Sequence, residues 1–422
     1  LNAGADAYNT AVGYNAGLEM TTGPETTLVG GLAGDALTTG SGNTAIGYAA
    51  LSTEDTGGGN TAIGRKALFT QDTGNDSYNT AVGYSAGVSV TTGVQNTVIG
   101  GLAGDALTTG TGNVALGYQA LTTEDAHGYN TAIGWRALHT LNAGANGNNV
   151  AVGADAGLQM TTGYDNVVVG SLAGDALTTG VANTAIGKDA LGSSVDGDFN
   201  TALGYKALED YEDGDGNGHN TAVGASSQLN ATTGEFNTSL GSLSMGVGVV
   251  TGDANVALGY KAGQALTGGA ANTAVGYESL MTEDAHGSNT ALGYSALRIL
   301  NAGAEGHNTA VGASAGAAMT TGVRNTILGG LAGDALTTGS NNIALGYSAL
   351  TTEDTGSRSV AIGSFALHQQ NNDSNNDNVA IGYNAGFAVT TGINNTLIGS
   401  LAGDSLTTPG HNVAVGYGSQ GA

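Results

Sequence analysis

A glycine returns every 17 residues from one end of the chain to the other, and few folds can accommodate that. Aligned on the phrase NTA[IVL]GY, the sequence resolves into 24 copies of one segment. They start at Asn9, Thr26, Asn43, Asn60, Asn79, Asn96, Asn113, Asn130 and Asn149 and run on to Asn412. The fifth position is Gly in all 24, from Gly13 and Gly30 to Gly399 and Gly416. Invariance among copies inside one chain reports a positive φ or a backbone approach too close for a Cβ. Spacings of 18 to 20 residues recur about every fourth copy, so the larger unit is a block of four coils. Blocks begin near Asn9, Asn79, Asn149, Asn220, Asn308 and Asn378 and divide a single array, 1–422, into sub-blocks 1–70, 71–140, 141–210, 211–299, 300–369 and 370–422. The block at Asn220 has five coils, and its second, Gly241 to Val250, lacks the GLAGDALTTG phrase found at Gly31, Gly101, Ser171, Gly330 and Ser400.

A short repeat of this kind buries its apolar face only by stacking on its neighbours. The reading is therefore all-β: a parallel β-solenoid of about 24 coils of 17 residues. The fourth position is Val, Ile or Leu throughout, as at Val12, Ile46, Ile133 and Val415, and reads as a strand column facing a narrow core. The third position is small or apolar except at Ser239, which makes both faces of the strand apolar and predicts that the third-position face is covered by something outside the coil. Alternation at the tenth and twelfth positions, as in Leu18 and Met20 or Val88 and Val90, predicts a second short strand per coil. The first position is Asn in 22 copies; either the amides form a ladder between coils or Asn simply suits the turn. TTG turns, and the inserts QDTGNDSY, LNAGANGN, EDYEDGDGNGH, LNAGAEGH and QQNNDSNND at block boundaries, are expected to be exposed loops on one edge.

Composition narrows the function. With 34 Asp and Glu against 9 Lys and Arg, the formal charge is -25, which opposes binding to nucleic acid or to an anionic membrane. The absence of Cys removes disulfides, thiolate metal sites and Cys nucleophiles. No run approaches the ~18 apolar residues of a spanning helix, and Leu1 to Tyr8 carries no secretory pattern. The chain does not begin with Met and both ends fall inside the periodic pattern, so a piece of a longer fibre, or a fibre made by head-to-tail stacking, is expected.

The phrase A[IV]GxxA with Asn two residues upstream, as in Asn43-Thr-Ala-Ile-Gly-Tyr-Ala-Ala50 and Asn79-Thr-Ala-Val-Gly-Tyr-Ser-Ala86, resembles the head repeats of YadA-like trimeric autotransporter adhesins. It is equally similar to the shaft repeats of phage tail fibres, and the resemblance covers nearly the whole chain. It implies a left-handed β-roll, three chains associating through an apolar face, and an extracellular place on a cell surface or virion. Family coils are commonly nearer 14 residues than 17, and heptads, a membrane anchor and a chaperone domain are not found in this sequence.

Candidate sites are few. Asp213, Asp215 and Asn217 form a D-x-D-x-N-G string that places alternate oxygens around a Gly turn as a calcium loop does, although Gly224 stands where the terminal Glu belongs. Calcium is accordingly the one cofactor to weigh, as a ligand of that loop or as a stiffener of a trimer carrying three times this charge. Sixth-position tyrosines, Tyr14, Tyr48, Tyr84, Tyr118, Tyr205, Tyr260, Tyr277, Tyr294, Tyr347, Tyr383 and Tyr417, form broken columns that either stack on glycans or cover the edge of the roll. Arg65, Lys66, Trp135, Arg136, Lys188, Lys206 and Lys261 share the sixth and seventh positions. The acidic turns Glu54-Asp55, Glu124-Asp125, Glu283-Asp284 and Glu353-Asp354 read as solubility features. GxSxG strings at Gly83–Gly87 and Gly312–Gly316 carry Asn or Asp in place of Ser in other copies, and the hexapeptide pattern of acyltransferases fits only once per coil. The histidines, at 127, 139, 219, 286, 307, 368 and 411, show no recurring pairing with a Ser or an acid, so no catalytic triad is expected. The expected function is that of a non-enzymatic fibre segment, partnered with itself and with a host glycan or protein receptor. A monomeric solenoid that binds a repetitive ligand such as ice through Thr10, Thr44, Thr61 and Thr80 is the alternative, with Val114, Val150, Val167 and Ile343 interrupting that column.

Overall fold

The computed structural model describes residues 7–212 and 218–420. Among these residues there are 24 strands of three residues each and no helix, the first Thr10–Val12 and the last Val413–Val415. The protein is thus a parallel β-solenoid of about 24 turns. It divides into two compact units, Leu1–Asn217 and Gly218–Ala422, with twelve strands apiece. Within each unit every strand pairs in parallel, without slippage, with the strands one coil before and one coil after. Thr44, Ala45 and Ile46 lie opposite Thr61, Ala62 and Ile63 in the first unit, and Thr273, Ala274 and Val275 opposite Thr290, Ala291 and Leu292 in the second.

The fifth-position Gly ends each strand with φ between 117° and 145°. A Cβ on Gly100, for example, would overlap the carbonyl oxygen of Gly117 in the next coil, so both requirements read from its invariance are met. Beyond it the seventh residue is left-handed (Asn15 at 55°, Lys66 at 60°), and so is the ninth (Gly17 at 61°, Leu51 at 52°). Hydrogen bonds from Ala16 N to Gly13 O (3.4 Å) and from Val88 N to Ser85 O (3.3 Å) close consecutive β-turns there. No second strand forms: the alternation of Leu18 and Met20 belongs to a turn, with Leu18 outside and Met20 in the core. Positive φ at every other residue bends the chain too sharply for an extended strand. The turn backbone still bonds from coil to coil, as Leu32 N does to Tyr14 O (2.8 Å) and Thr21 N to Thr38 O (2.9 Å), which is why so little backbone is left unpaired.

The two faces of the strand are the reverse of the sequence reading. Third-position Ala45, Ala62, Ala115 and Ala274 are completely buried, whereas fourth-position Ile46, Leu116 and Leu240 are 36%, 41% and 49% exposed. The strand contributes mainly Ala there and the opposite turns supply much of the volume; the larger Leu28, Val98, Val168, Ile327 and Leu397 are buried only in coils whose ninth residue is Gly. Where the ninth residue is Gly, the twelfth is large, as in the pairs Gly17 and Met20, Gly104 and Leu107, or Gly157 and Met160. In most of the other coils the ninth is a buried Leu, as at Leu51, Leu121 and Leu191. Each fully buried Leu contributes on the order of 2 kcal/mol, so these turn residues carry most of the core energy.

The first-position Asn side chains do form a ladder. Asn166 Oδ1 accepts the backbone N–H of Asn183 (2.9 Å), and Asn166 Nδ2 donates to Gly180 O (2.8 Å); the same pair of contacts recurs at Asn79 and Asn308. These amides are buried and satisfied by the neighbouring coil, so turn tolerance alone does not explain them. Boundary inserts are exposed at their tips, at Gly74, Asn75, Gly144, Ala145 and Ser374. They are pinned by buried residues at Gln71, Ser77, Leu141, Ala143, Gln370 and Asn376.

Candidate functional site

Three surfaces or clusters carry the side chains that could act on something outside the coil. The first is the outer face of the sheet. Because the strand is three residues long and its middle residue points inward, the second and fourth positions both point out and repeat in register from coil to coil. The result is a row of Thr, Val or, at one place, Ile beside a row of Val, Ile and Leu, half-buried or exposed along each unit.

The second is the aromatic edge. Tyr14, Tyr48, Tyr84, Tyr118, Tyr205, Tyr260, Tyr277, Tyr294, Tyr347, Tyr383 and Tyr417 are all more than two-fifths exposed, and they stand on the residue after the strand-ending Gly. Tyr260, Tyr277 and Tyr294 stack with ring centroids 5.4 Å apart, so the expected column exists where consecutive copies keep Tyr. Arg65 lies between Tyr48 and Tyr84, 5.9 and 5.5 Å from their ring centres; Lys261 lies over Tyr260, and Lys188 and Lys206 flank Tyr205. Cations in this acidic chain are therefore drawn to ring faces as well as to acids such as Asp155, paired with Arg136 at 2.9 Å. Glu278 and the neighbouring Tyr260 and Tyr294 hold the Tyr277 hydroxyl above its usual pKa, with Glu278 the largest influence.

A second aromatic row escaped the sequence reading. Tyr8, Tyr78, Tyr129, Phe199 and Phe236 sit immediately before the ladder residue, each with positive φ and each at least 45% exposed. His219 stacks on Phe236 with centroids 5.4 Å apart. The signal was available: the residue before Asn is repeatedly aromatic or His, but the alignment on NTA[IVL]GY starts one residue too late to include it.

The third is a set of buried carboxylates, which corrects two expectations. Glu54, Glu124, Glu283 and Glu353 are not solubility features: all four are completely buried at the twelfth position of the third coil in a four-coil block, or of the equivalent coil in the five-coil block. In that place the side chain points into the coil as Met20 or Leu37 does, and the carboxylate survives because the chain supplies donors. Glu54 accepts from Gly57 N (2.7 Å), Gln71 Nε2 (3.2 Å) and Thr73 N (3.2 Å). Glu353 accepts from Gly356 N (2.7 Å), Gln370 Nε2 (2.9 Å) and Asn376 Nδ2 (2.9 Å). Histidine and acid do pair recurrently, moreover: Glu124 with His127 and Glu283 with His286, three residues apart in both cases. Burial pushes the Glu283 carboxyl above its usual pKa against the opposing effect of its backbone donors.

The calcium string Asp213, Asp215 and Asn217 lies outside the described residues. Ser85 and Ser314 of the GxSxG strings sit in left-handed turn positions, away from the Glu–His pairs. A shallow cleft lined by Ala143, Gly144, Ala145, Thr162 and Tyr164 carries no charged side chain. No described helix is long and apolar enough to cross a membrane. Compared with known proteins, the chain matches no family model and no curated protein.

Proposed function

We propose that this chain is a structural segment of an extracellular fibre, a left-handed β-roll that associates as a homotrimer and serves as a rigid spacer in a surface adhesin. In this role it performs no catalysis. The observation that carries the proposal is the outward sheet face: an in-register apolar row that the coil leaves half-covered, though a monomer gains nothing from exposing it. Association through that face needs no new backbone geometry and is repeated at every coil, so weak contacts accumulate. The resemblance of the NTA[IV]GY phrase to adhesin-head and tail-fibre repeats supplies the threefold symmetry, the handedness and the extracellular setting; a phage tail-fibre shaft is the sister reading.

Adhesion would be a property of the aromatic edge, where Tyr14, Tyr48, Tyr84, Tyr118, Tyr205, Tyr260, Tyr294, Tyr347 and Tyr383 are exposed and would offer ring edges and hydroxyls to a sugar. Calcium at Asp213, Asp215 and Asn217 would act only as a stiffener. Native mass by light scattering is the test. Three times 41.1 kDa supports the fibre reading, and Leu116→Glu with Leu328→Glu, placed on the outward face, then reduces the mass to that of one chain. A single chain mass for the unsubstituted protein overturns it in favour of a monomeric solenoid whose Thr and Ile rows bind a repetitive ligand, for which thermal hysteresis is the assay.

A further inference from the structure

The four buried glutamates are partnered in two different ways, and the difference divides the chain's own repeats into two classes. Where the residue one coil further on is Gln, as at Gln71 and Gln370, its amide donates to the carboxylate and the fifteenth position of the glutamate's own coil is Gly57 or Gly356. Where that residue is Leu141 or Leu300, the fifteenth position is His127 or His286 instead. Leu donates nothing, so in these two copies each carboxylate keeps only backbone donors besides its His. His127 N (3.0 Å) and Ala143 N (3.1 Å) bond Glu124, and His286 N and Ala302 N (3.2 Å each) bond Glu283. A fifth copy discards the acid altogether, with buried Ser194 facing buried Tyr211.

The imidazoles do not simply replace the lost amide. In the first copy Nδ1 is 3.1 Å from Glu124 Oε1; in the second Nδ1 is 3.7 Å from Glu283 Oε1, too far for a hydrogen bond, and it is sealed from solvent with no hydrogen-bond partner. Two donors on one tetrahedral zinc, each at about 2.1 Å, stand about 3.4 Å apart, a value that these two separations bracket. Asp125 and Asp284 complete the groups, with one ligand atom from each of the three residues lying within 4.8 Å of the others; Glu54, Asp55 and Asp72 of a Gln-bearing copy come equally close but offer carboxylates alone, without the nitrogen that favours zinc. A nitrogen with two carboxylates suits a zinc-class ion better than calcium, which takes oxygen alone.

We propose that Glu124, Asp125 and His127, and likewise Glu283, Asp284 and His286, are twin sites for a divalent transition-metal ion, one in each unit. The ion replaces the amide donor that the Gln-bearing copies use to partner the same buried carboxylate. The Gln-bearing copies also provide the variant that tests this without emptying the core: His127→Gly with Leu141→Gln rebuilds the first site as the Glu54 arrangement, and His286→Gly with Leu300→Gln does so for the second. Full-length protein stripped with a chelator is titrated with zinc by calorimetry, and with cobalt for its visible d–d bands. The expected stoichiometry is about two per chain, falling to about one in either double variant and to none in the combined one, with melting of the metal-free protein preserved. The proposal is overturned if no zinc binds, or if the combined variant binds as much as the original. It is equally overturned if magnesium binds as well as zinc, since that means diffuse attraction to an acidic surface.

Discussion

At the scale of single residues, the coil is held by groups that act between neighbours rather than within one turn. Asn166 is typical: Asn166→Ala removes the acceptor for Asn183 N and the donor for Gly180 O, leaving two buried groups unpaired. At about 1–3 kcal/mol per unsatisfied group, the loss is about 2 to 6 kcal/mol, readable as a lower midpoint in urea. Asp175 gives the pH dependence its sign. Burial first, and then the charges of Asp189, Asp155 and Glu209, raise its pKa to about 6 against a smaller lowering by a backbone hydrogen bond. The folded protein therefore holds this proton more tightly than the unfolded chain does. Its contribution is present below the ordinary carboxylate range and is lost as pH rises from about 4 to about 6. Asp175→Asn is expected to melt progressively higher than the unsubstituted protein across that interval and to keep a constant advantage above it.

At the scale of the coil, the glycine column, the strand and the Asn column were legible because each is a backbone demand that all copies must meet. The orientation of the strand was not, because Ala and Ile are both apolar and the alternation alone cannot say which row faces in. What decides it is volume: the interior admits a Cβ opposite Leu51 or Leu121, not a second branched chain. Nor could the buried glutamates be recognised, since the acids of EDTG or EDAHG look like any exposed turn until the twelfth position is known to point inward. The divergent copy shows the same logic. Ser239, the one polar third-position residue, accepts from Gln228 Nε2 (2.9 Å) and sits 2.5 Å from Ser227 Oγ, itself 3.0 Å from Ser244 Oγ. Ser239→Ala takes one hydrogen bond from the Gln228 amide, which keeps Thr221 O (3.2 Å), and one from Ser227, which keeps Ser244, so it is expected to lower stability by about 0.5 to 1.5 kcal/mol. Gln228→Leu combined with Ser239→Ala removes both partners and is expected to recover most of that loss, as denaturant titration of the three variants would show.

At the scale of the whole molecule, a charge of -25 acts on every unit at once. Its exposed part is screened over about 8 Å at physiological ionic strength, so raising sodium chloride from about 10 mM to about 300 mM is expected to raise the melting temperature, with most of the gain at the low end. Scanning calorimetry across that series checks it; a flat response would mean that repulsion among the exposed acids contributes little to stability. The strict parallel register has a consequence of another kind, one for heredity. Inside each unit a strand pairs only with the coil before and the coil after, so a block of four coils meets nothing that another block could not supply. Nearly identical phrases also allow nearly identical stretches of coding sequence. Unequal recombination between them can add or delete a block without creating a mismatched contact, which makes the number of blocks a trait that a lineage can lengthen or shorten in one step.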